Sequence, residues 1–360
     1  MGACIDADGH VLEGDDLFER YVPANITVRW RNVTDVSVNR INIVDRPDAQ
    51  EWVMAEDDRA DRYAAARARE FDNVSTLEML DNEGFTAAAL YPSKFLYLPF
   101  ADGVGADVSY PLAEAYNNWL HDYCALDPQR LLHVAVLPVL DVERACREAE
   151  RAATHLGARA VMVRPNPVAN RLLGDRYYDP LYEVLAELDL ALTVHEGMSV
   201  RVPQLGRDRF HRFFDRHMCC HPMEQMSACL SLIAHGALER HPTLRVAFLE
   251  SGSGWAPYWL HRMDQHAQDV SGDVEELTLA PSDYFRRQCF ISTEPGDACL
   301  PNTVSTFPNS VVFASDYPHP DADFPGVLDG LRAAAEPDDL DKDRILGTNA
   351  ERLYGLGRPS

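Results

Sequence analysis

Acidic and imidazole side chains stand at the ends of three short apolar segments of this 360-residue sequence. These groups are Asp6, Asp8 and His10 in segment 5–10, His195 at the end of segment 191–195, and Asp316 directly after segment 311–315. Carboxylates and imidazoles bind Zn²⁺, Mn²⁺ or Fe²⁺, and they transfer protons near neutral pH. The sequence therefore predicts metal or acid–base chemistry, provided that the fold brings the three segments together.

The spacing of the first motif, Asp-x-Asp-x-His, favours an inward-facing cluster. Side chains of a strand alternate between two faces, so Asp6, Asp8 and His10 are expected to share one face. Ionisable groups are costly to bury unless they bind a partner, and a metal cation is the simplest partner. Taken alone, the motif is more typical of a solvated loop with a capping aspartate, so the other segments decide between the two interpretations.

Eight short apolar segments bounded by polar turns predict strands that are covered on both faces. They are Ala3–Asp8, Ala87–Tyr91, His133–Leu137, Ala160–Arg164, Ala191–His195, Arg245–Glu250, Cys289–Ser292 and Val311–Ser315. Segments with helical spacing lie between most of them: Glu143–His155, Leu181–Leu188, Met223–Glu239 and Trp255–Met263. This alternation predicts an α/β fold, a (β/α)₈ TIM barrel. A doubly wound open sheet is the alternative, but no G-x-G-x-x-G turn follows the first segment.

A closed barrel would assemble the chemistry. Its first and last strands are neighbours, so Asp316 is expected beside Asp8 and His10, while His195 arrives from the fifth strand. Two imidazoles and two carboxylates suit one divalent metal, with a position left open for water. Such a metal lowers the pKa of its bound water to about 7. Asp316 is then a metal ligand and a candidate general base.

Two long segments interrupt the alternation, and both follow predicted strands. Residues 25–71 follow the first strand and residues 196–221 the fifth. Barrel enzymes build their sites at the ends of such strands, so we expect the first insertion to lie over the barrel mouth. No linker or repeat divides the chain, and the sequence predicts a single domain over residues 1–360.

Several other side chains at predicted strand ends are candidate site residues. Arg164 is expected either to bind a substrate carboxylate or to form a salt bridge inside the barrel. His319, after the last strand, is expected either to donate a proton to the substrate or to hold the adjacent turn. Three further candidates for the substrate pocket are His221, Trp255 and Glu294.

Composition excludes some classes of partner. The chain has 57 acidic and 33 basic residues, and a formal net charge of −24 disfavours binding to nucleic acid or to anionic lipid surfaces. No apolar segment approaches the length of a membrane-spanning helix, and no signal peptide is expected. The eight cysteines form no C-x-x-C pair, so we expect reduced thiols in a cytoplasmic protein.

Over nearly its whole length, the sequence resembles amidohydrolase-related family 2, the group that includes aminocarboxymuconate semialdehyde decarboxylase. The motifs that carry the resemblance are Asp-x-Asp-x-His at 6–10, His-Pro-Met-Glu-Gln-Met at 221–226, the segment 241–255, Ser-Asp-Tyr-Pro-His-Pro at 315–320 and Gly-Thr-Asn-Ala-Glu-Arg-Leu-Tyr at 347–354. The resemblance implies a (β/α)₈ barrel with one divalent metal bound by Asp8, His10, His195 and Asp316. It implies chemistry that includes decarboxylation, hydrolysis of C–C or C–N bonds, and hydration, and it is compatible with a homodimer.

Two positions depart from the family pattern. Asp8 stands where the first motif more often has a histidine, although some decarboxylating members carry a glutamate there. Glu250 stands where the decarboxylases tend to have a histidine followed by glycines. A histidine protonates a carbanion at neutral pH, whereas a glutamate does so only when its pKa is raised. This second departure favours hydrolysis over decarboxylation.

The sequence therefore predicts a metal-dependent hydrolase that acts on a small organic molecule through a metal-activated water. Asp316 would serve as ligand and base, with Glu250 assisting. One alternative is a non-oxidative decarboxylase of an aromatic or unsaturated acid, with Arg164 or His319 binding the carboxylate. A second alternative is a catalytically inactive binding barrel. Zn²⁺ is the favoured metal and Mn²⁺ the alternative.

Overall fold

Eight parallel strands follow one another around a single sheet in chain order. The computed structural model of the protein describes residues 2–26, 62–101, 103–197, 202–319 and 322–357. Its strands are β1 Ile5–Val11, β2 Ala87–Pro92, β3 Leu131–Val136, β4 Ala160–Val163, β5 Ala191–His195, β6 Val246–Leu249, β7 Cys289–Thr293 and β8 Val311–Phe313. The predicted (β/α)₈ barrel is confirmed, and all eight predicted strands are present with shifted ends.

Helices separate consecutive strands and cover the outside of the sheet. The described α-helices are α1 Asp15–Arg20, α2 Ala64–Ala68, α3 Asn73–Glu83, α4 Ala106–Cys124, α5 Val142–Leu156, α6 Asp179–Glu187, α7 Phe213–Ala234, α8 Ala237–Arg240, α9 Trp255–Asp269, α10 Pro281–Gln288, α11 Leu300–Thr306, α12 Asp329–Ala333, α13 Asp339–Asp343 and α14 Asn349–Leu353. Every residue of the eight strands is buried, as expected for a parallel sheet with both faces covered.

The first and last strands are joined at the end of the barrel that carries the predicted site. The Asp316 amide donates to the Asp8 carbonyl at 3.1 Å, and the His10 amide donates to the Tyr317 carbonyl at 2.7 Å. The buried Asp6 carboxylate reinforces this junction by accepting from both the amide and the hydroxyl of Ser315. These contacts place the segment after β8 directly against β1.

A β-bulge interrupts β1 within the Asp-x-Asp-x-His motif. Asp6 pairs with Ala88 and Gly9 with Leu90, so β1 contains one residue more than β2 over this interval. A bulge changes the direction of neighbouring side chains. Strict alternation therefore fails here: the Asp6 carboxylate binds Ser315, whereas Asp8 and His10 face the predicted metal ligands. A side chain on Gly9 would meet the Asp6 carboxylate at 2.9 Å.

The two predicted insertions are only partly described. Residues 27–61 and 198–201 lie outside the described residues, so the predicted cover over the barrel mouth rests on the sequence alone. Residues 213–221, assigned to the second insertion, instead belong to α7, which continues through Pro222 to Ala234. The sequence pattern predicted a later start, at Met223, although the helix continues through Pro222, a residue that lacks the amide hydrogen of a regular helix.

Among the described residues, no helix is both long and apolar enough to cross a lipid bilayer.

The carboxyl-terminal region is attached to the barrel through a buried pair of tyrosines. The Tyr354 hydroxyl donates to the Ala7 carbonyl at 2.6 Å and lies 2.9 Å from the Tyr91 hydroxyl. We predict that Tyr354→Phe lowers the free energy of unfolding by about 1–3 kcal/mol, because a buried carbonyl loses its donor. Urea unfolding followed by circular dichroism measures this change. Tyr258→Phe is the control, since Tyr258 is 62% exposed; equal stability of the two variants would contradict the prediction.

Candidate functional site

Three predicted metal ligands converge at the carboxyl ends of the strands. Asp8 and His10 come from β1, and His195 is the last residue of β5. The His195 Nε2 lies 3.2 Å from the Asp8 Oδ1, and the His10 Nε2 lies 3.7 Å from the same oxygen. All three residues are at most 1% exposed. Their potential ligand atoms lie within 4.8 Å of one another, which makes them a possible metal site.

Hydrogen bonds to main-chain carbonyls fix the tautomers of both histidines. The His10 Nδ1 lies 2.9 Å from the Pro92 carbonyl, and the His195 Nδ1 lies 2.6 Å from the Glu196 carbonyl. A carbonyl only accepts, so each Nδ1 must carry the hydrogen and each Nε2 presents a lone pair. Metal-binding histidines in proteins are held in this manner.

Within the described part of the chain, the converging atoms have no hydrogen-bond partner. None of the described residues satisfies Asp8 Oδ1, His10 Nε2 or His195 Nε2. Burial and the neighbouring His319 and His195 hold the pKa of His10 well below its usual value, so this ring stays neutral at neutral pH. Three buried acceptors that face one another repel unless a cation lies between them. The donor set therefore fits a single divalent metal ion.

The fourth predicted ligand, Asp316, stands beside this group. Its Oδ1 lies 3.3 Å from the His10 Nε2, and it also accepts from the His319 Nδ1 at 2.7 Å. Asp316 has a φ of +55°, a conformation that is unfavourable for a residue with a side chain. Such strain is found where the surrounding structure holds a side chain in a required position. The structure thus brings all four predicted ligands together.

Glu250 follows β6 and faces the same region. Its φ is +51°, so the two acidic residues that follow β6 and β8 share the left-handed conformation. One carboxylate oxygen lies 3.5 Å from the His195 Nδ1, and the other lies 3.6 Å from the His221 Nδ1. The Glu250 side chain is 16% exposed. It is therefore a mostly buried acidic group next to a predicted metal ligand.

His221, on α7, has a defined orientation beside Glu250. Its Nδ1 lies 2.8 Å from the Glu250 carbonyl and must donate to it, so the Nε2 carries the lone pair. That Nε2 is buried, and none of the described residues bonds to it. Burial, together with the neighbouring His217, holds the pKa of His221 well below its usual value. His221 is therefore a neutral hydrogen-bond acceptor.

Arg164 forms a buried salt bridge within the protein. Its guanidinium contacts the Glu196 carboxylate, the Asn166 side chain and the carbonyls of Leu96 and Gly197. Arg164 is only 1% exposed. Of the two roles expected from the sequence, the geometry favours the internal salt bridge, because these contacts occupy the guanidinium on several sides.

The remaining pocket candidates lie at the neighbouring strand ends. Trp255 begins α9, where its ring packs at 5.8 Å from that of Phe248 and its Nε1 donates to the Ser251 hydroxyl. Glu294 directly follows β7 and is partly exposed. Trp255 is thus anchored to the core behind Glu250, which leaves its predicted substrate contact a proposal.

The structure also reveals site residues that were not predicted from the sequence. Ser93, after β2, lies 2.9 Å from the His319 Nε2 through its hydroxyl, and the buried Glu13 carboxylate accepts from the Ser93 amide. Neither residue belongs to a motif with an evident ligand or catalytic spacing. Glu196 could have been predicted as a site residue, because it directly follows His195 at the end of β5.

Comparison with known proteins places these observations in a family context. A profile of the amidohydrolase family matches residues 5–356. The 2-amino-3-carboxymuconate-6-semialdehyde decarboxylase of Dictyostelium discoideum is 25% identical over 249 residues, which cover 68% of this chain and 67% of the relative.

Solved structures share the fold over almost the whole chain. The 5-carboxyvanillate decarboxylase of Sphingomonas paucimobilis superposes with a TM-score of 0.74 at 22% identity and covers 99% of both chains. A dihydroxybenzoic acid decarboxylase of Polaromonas sp. JS666, solved with bound manganese and the inhibitor 2-nitroresorcinol, gives a TM-score of 0.73 at 19% identity, with 100% of this chain and 98% of the other covered. At these identities the structural likeness establishes the fold.

The buried network behind the site predicts a pH-dependent stability. Burial and the neighbouring Glu196 carboxylate raise the pKa of Glu224 to about 7 from a reference value of 4.5. A raised pKa in the folded state gives stability that is present at low pH and lost as the pH rises through 7. We predict that wild type loses about 2 kcal/mol of unfolding free energy between pH 5.5 and 8 through this group.

Glu224→Gln isolates that contribution, because the amide oxygen can still accept from the Leu205 amide while the side chain no longer ionises. Urea unfolding at both pH values measures it. The variant is expected to show a smaller pH dependence than wild type. Identical pH dependence in the two proteins would contradict the assignment.

Proposed function

Because the chain belongs to the amidohydrolase family, we propose that it is a metal-dependent decarboxylase that releases CO₂ from a small organic acid without an oxidant. The observation that carries this proposal is the set of three buried, mutually facing acceptor atoms of Asp8, His10 and His195, with the Glu250 carboxylate beside them. A catalytically inactive barrel has no need to maintain such a costly arrangement.

The relatives reverse the order of the two catalytic hypotheses. The sequence favoured hydrolysis, mainly because Glu250 replaces a histidine. The named relatives and structural neighbours are decarboxylases, and this supports the alternative. Hydrolysis remains the second candidate because Asp316 stands next to the ligand group, where it can act as a base for a water molecule.

The metal would be held by Asp8, His10, His195 and Asp316. A bound divalent cation would supply positive charge that stabilises developing negative charge on substrate oxygens. Two carboxylates and two imidazoles are compatible with Zn²⁺ and with Mn²⁺. Zn²⁺ was favoured from the sequence, and the neighbour with bound manganese makes Mn²⁺ the first ion to test beside it.

Glu250 is proposed as the group that protonates the substrate carbon when CO₂ leaves. It replaces the family histidine at the end of β6, and its positive φ is a conformation that persists where the surrounding structure holds a side chain in a required position. A carboxylic acid can protonate a carbanion if it holds its proton at the working pH. His195 and His221 flank the carboxylate, with their Nδ1 atoms 3.5 Å and 3.6 Å from its two oxygens.

His221 is proposed to select substrates that carry a hydrogen-bond donor. Its buried Nε2 presents a lone pair beside Glu250. A site that hydrogen-bonds a substrate hydroxyl discriminates strongly against an analogue that lacks it. This supports a hydroxylated aromatic or unsaturated acid as the substrate class. Trp255 and Glu294 are proposed to line the pocket, and a homodimer and a cytoplasmic location remain predictions.

The metal site can be tested before any substrate is known. We predict that untagged protein, reconstituted with Zn²⁺ or Mn²⁺, retains about one equivalent of metal and that His10→Gln loses most of it, since a ligand and its geometry are removed. Plasma mass spectrometry after desalting measures the content. His133→Gln is the matched control, because His133 is equally buried and contacts a carbonyl, that of Leu156. Metal-free wild type after reconstitution would favour the binding barrel instead.

The proton-transfer role of Glu250 gives a separate prediction. In a panel of hydroxylated aromatic and unsaturated acids, wild type is expected to release CO₂ from at least one. Glu250→Gln should lower kcat by about 10²–10⁴-fold, as expected when a general acid is lost, while the metal content stays unchanged. Glu183→Gln, on the exposed side of α6, is the control. Substrate consumption without CO₂ would favour hydrolysis, and an unimpaired Glu250→Gln enzyme would exclude Glu250 as the acid.

A further inference from the structure

Ser93, His319 and Asp316 form a continuous chain of hydrogen bonds that ends at the ligand group. The Ser93 hydroxyl lies 2.9 Å from the His319 Nε2, and the His319 Nδ1 lies 2.7 Å from the Asp316 Oδ1. An ionised carboxylate only accepts, so the Nδ1 carries the hydrogen. The Nε2 then accepts from the Ser93 hydroxyl. Both ring nitrogens of His319 are thereby engaged with protein groups.

The far end of this chain is anchored by a buried carboxylate. Glu13, just after β1, accepts from the amides of Ser93, Lys94 and Phe95. Glu13 is 1% exposed. Three amides on one buried carboxylate hold the turn after β2 in one conformation, because an unpaired buried amide or carboxylate would be costly. The position of the Ser93 hydroxyl follows from that turn.

The His319 ring is also held by its neighbours. It packs on the His10 ring with centroids 4.0 Å apart and an angle of 31°. The Tyr63 hydroxyl donates to the His319 carbonyl at 3.0 Å. The imidazole is therefore fixed by hydrogen bonds on two edges and by a ligand ring on one face.

The order of the three groups is that of a Ser-His-Asp triad, but the surroundings do not suit a nucleophile. Acyl transfer by serine requires donors that stabilise an oxyanion. The amides of Ser93, Lys94 and Phe95, which stand nearest the hydroxyl in the chain, all donate to Glu13. Ser93 itself is only 8% exposed. The chain of hydrogen bonds thus leads to Asp316 rather than to a substrate.

We propose that Ser93 and His319 are positioning residues that hold the Asp316 carboxylate in the orientation required for binding the metal. This role replaces the predicted proton donation by His319, because its Nδ1 hydrogen is committed to Asp316. The inference rests on the proposed metal site and deepens it: Asp316 is the ligand whose backbone lies outside β8, and its side chain depends on this support. Outer hydrogen bonds of this kind typically change metal affinity by about 10–100-fold.

The test measures metal affinity rather than activity. Zn²⁺ binding is titrated against a chromophoric chelator, and the visible absorption of the Co²⁺-substituted protein reports the ligand geometry. His319→Phe keeps a flat ring against His10 but removes both hydrogen bonds, so its Zn²⁺ affinity should fall by about 10–100-fold and its Co²⁺ spectrum should change. Ser93→Ala should cause a smaller loss in the same direction.

A conservative variant distinguishes hydrogen bonding from packing. His319→Asn offers an amide near the position of Nδ1, so it should recover part of the affinity lost in His319→Phe. Ser109→Ala is the matched control: Ser109 is fully buried and its hydroxyl donates to the Pro99 carbonyl, away from Asp316. Its Zn²⁺ affinity should remain within about twofold of wild type.

The outcomes separate this inference from the proposed function. Wild-type affinity in Ser93→Ala and His319→Phe, in a protein that binds Zn²⁺, would overturn the positioning role alone, and Ser93→Ala decides the matter if His319→Phe does not fold. Wild type that binds neither Zn²⁺ nor Co²⁺ would overturn the metal site and the inference with it. Covalent labelling of Ser93 by a fluorophosphonate would show a nucleophile and overturn the positioning assignment.

Discussion

At the end of the barrel, buried lone pairs of two histidines and a carboxylate face and repel one another. The carbonyl contacts of His10 and His195 force both Nε2 lone pairs towards the Asp8 carboxylate. Neutral rings cannot supply the missing hydrogen, and the low pKa of His10 opposes its protonation. A cation between these atoms changes an unfavourable cluster into a stabilising one, so metal binding and local stability are coupled.

Irregular backbone at three positions of the barrel brings those atoms close together. The bulge in β1 separates Asp6 from Asp8 and His10, so one carboxylate ties β1 to Ser315 while the others face the metal position. Glu250, directly after β6, and Asp316, three residues after the end of β8, both adopt a positive φ. The regular strands therefore determine the approximate positions of the site residues. The bulge in β1 and the positive φ of Glu250 and Asp316 determine the directions of their side chains.

The sequence predicted the fold and the approach of Asp8, His10, His195 and Asp316 to one another because both follow from simple periodicities. Apolar segments of strand length identify the barrel, and barrel closure then brings Asp316 to Asp8. Long-range contacts between residues of ordinary types were not predictable: Ser93 contacts His319, and Glu13 contacts Ser93, across loops that carry no motif. The roles of Arg164 were left open because burial, which decides between a salt bridge and a substrate contact, cannot be deduced from a strand-end position.

The aspartate at the first ligand position has an electrostatic consequence. If Asp8 and Asp316 bind the proposed metal as carboxylates, their two negative charges would balance a divalent cation, whereas a histidine at position 8 would leave the centre with net positive charge. A neutral centre attracts a substrate carboxylate less strongly than a positive one. A second carboxylate ligand also favours a harder ion such as Mn²⁺, because carboxylates favour Mn²⁺ more than imidazoles do. Because Arg164 is engaged by Glu196, it does not offset this loss of attraction. Substrate binding is then expected to depend more on hydrogen bonds, such as one to His221, than on charge.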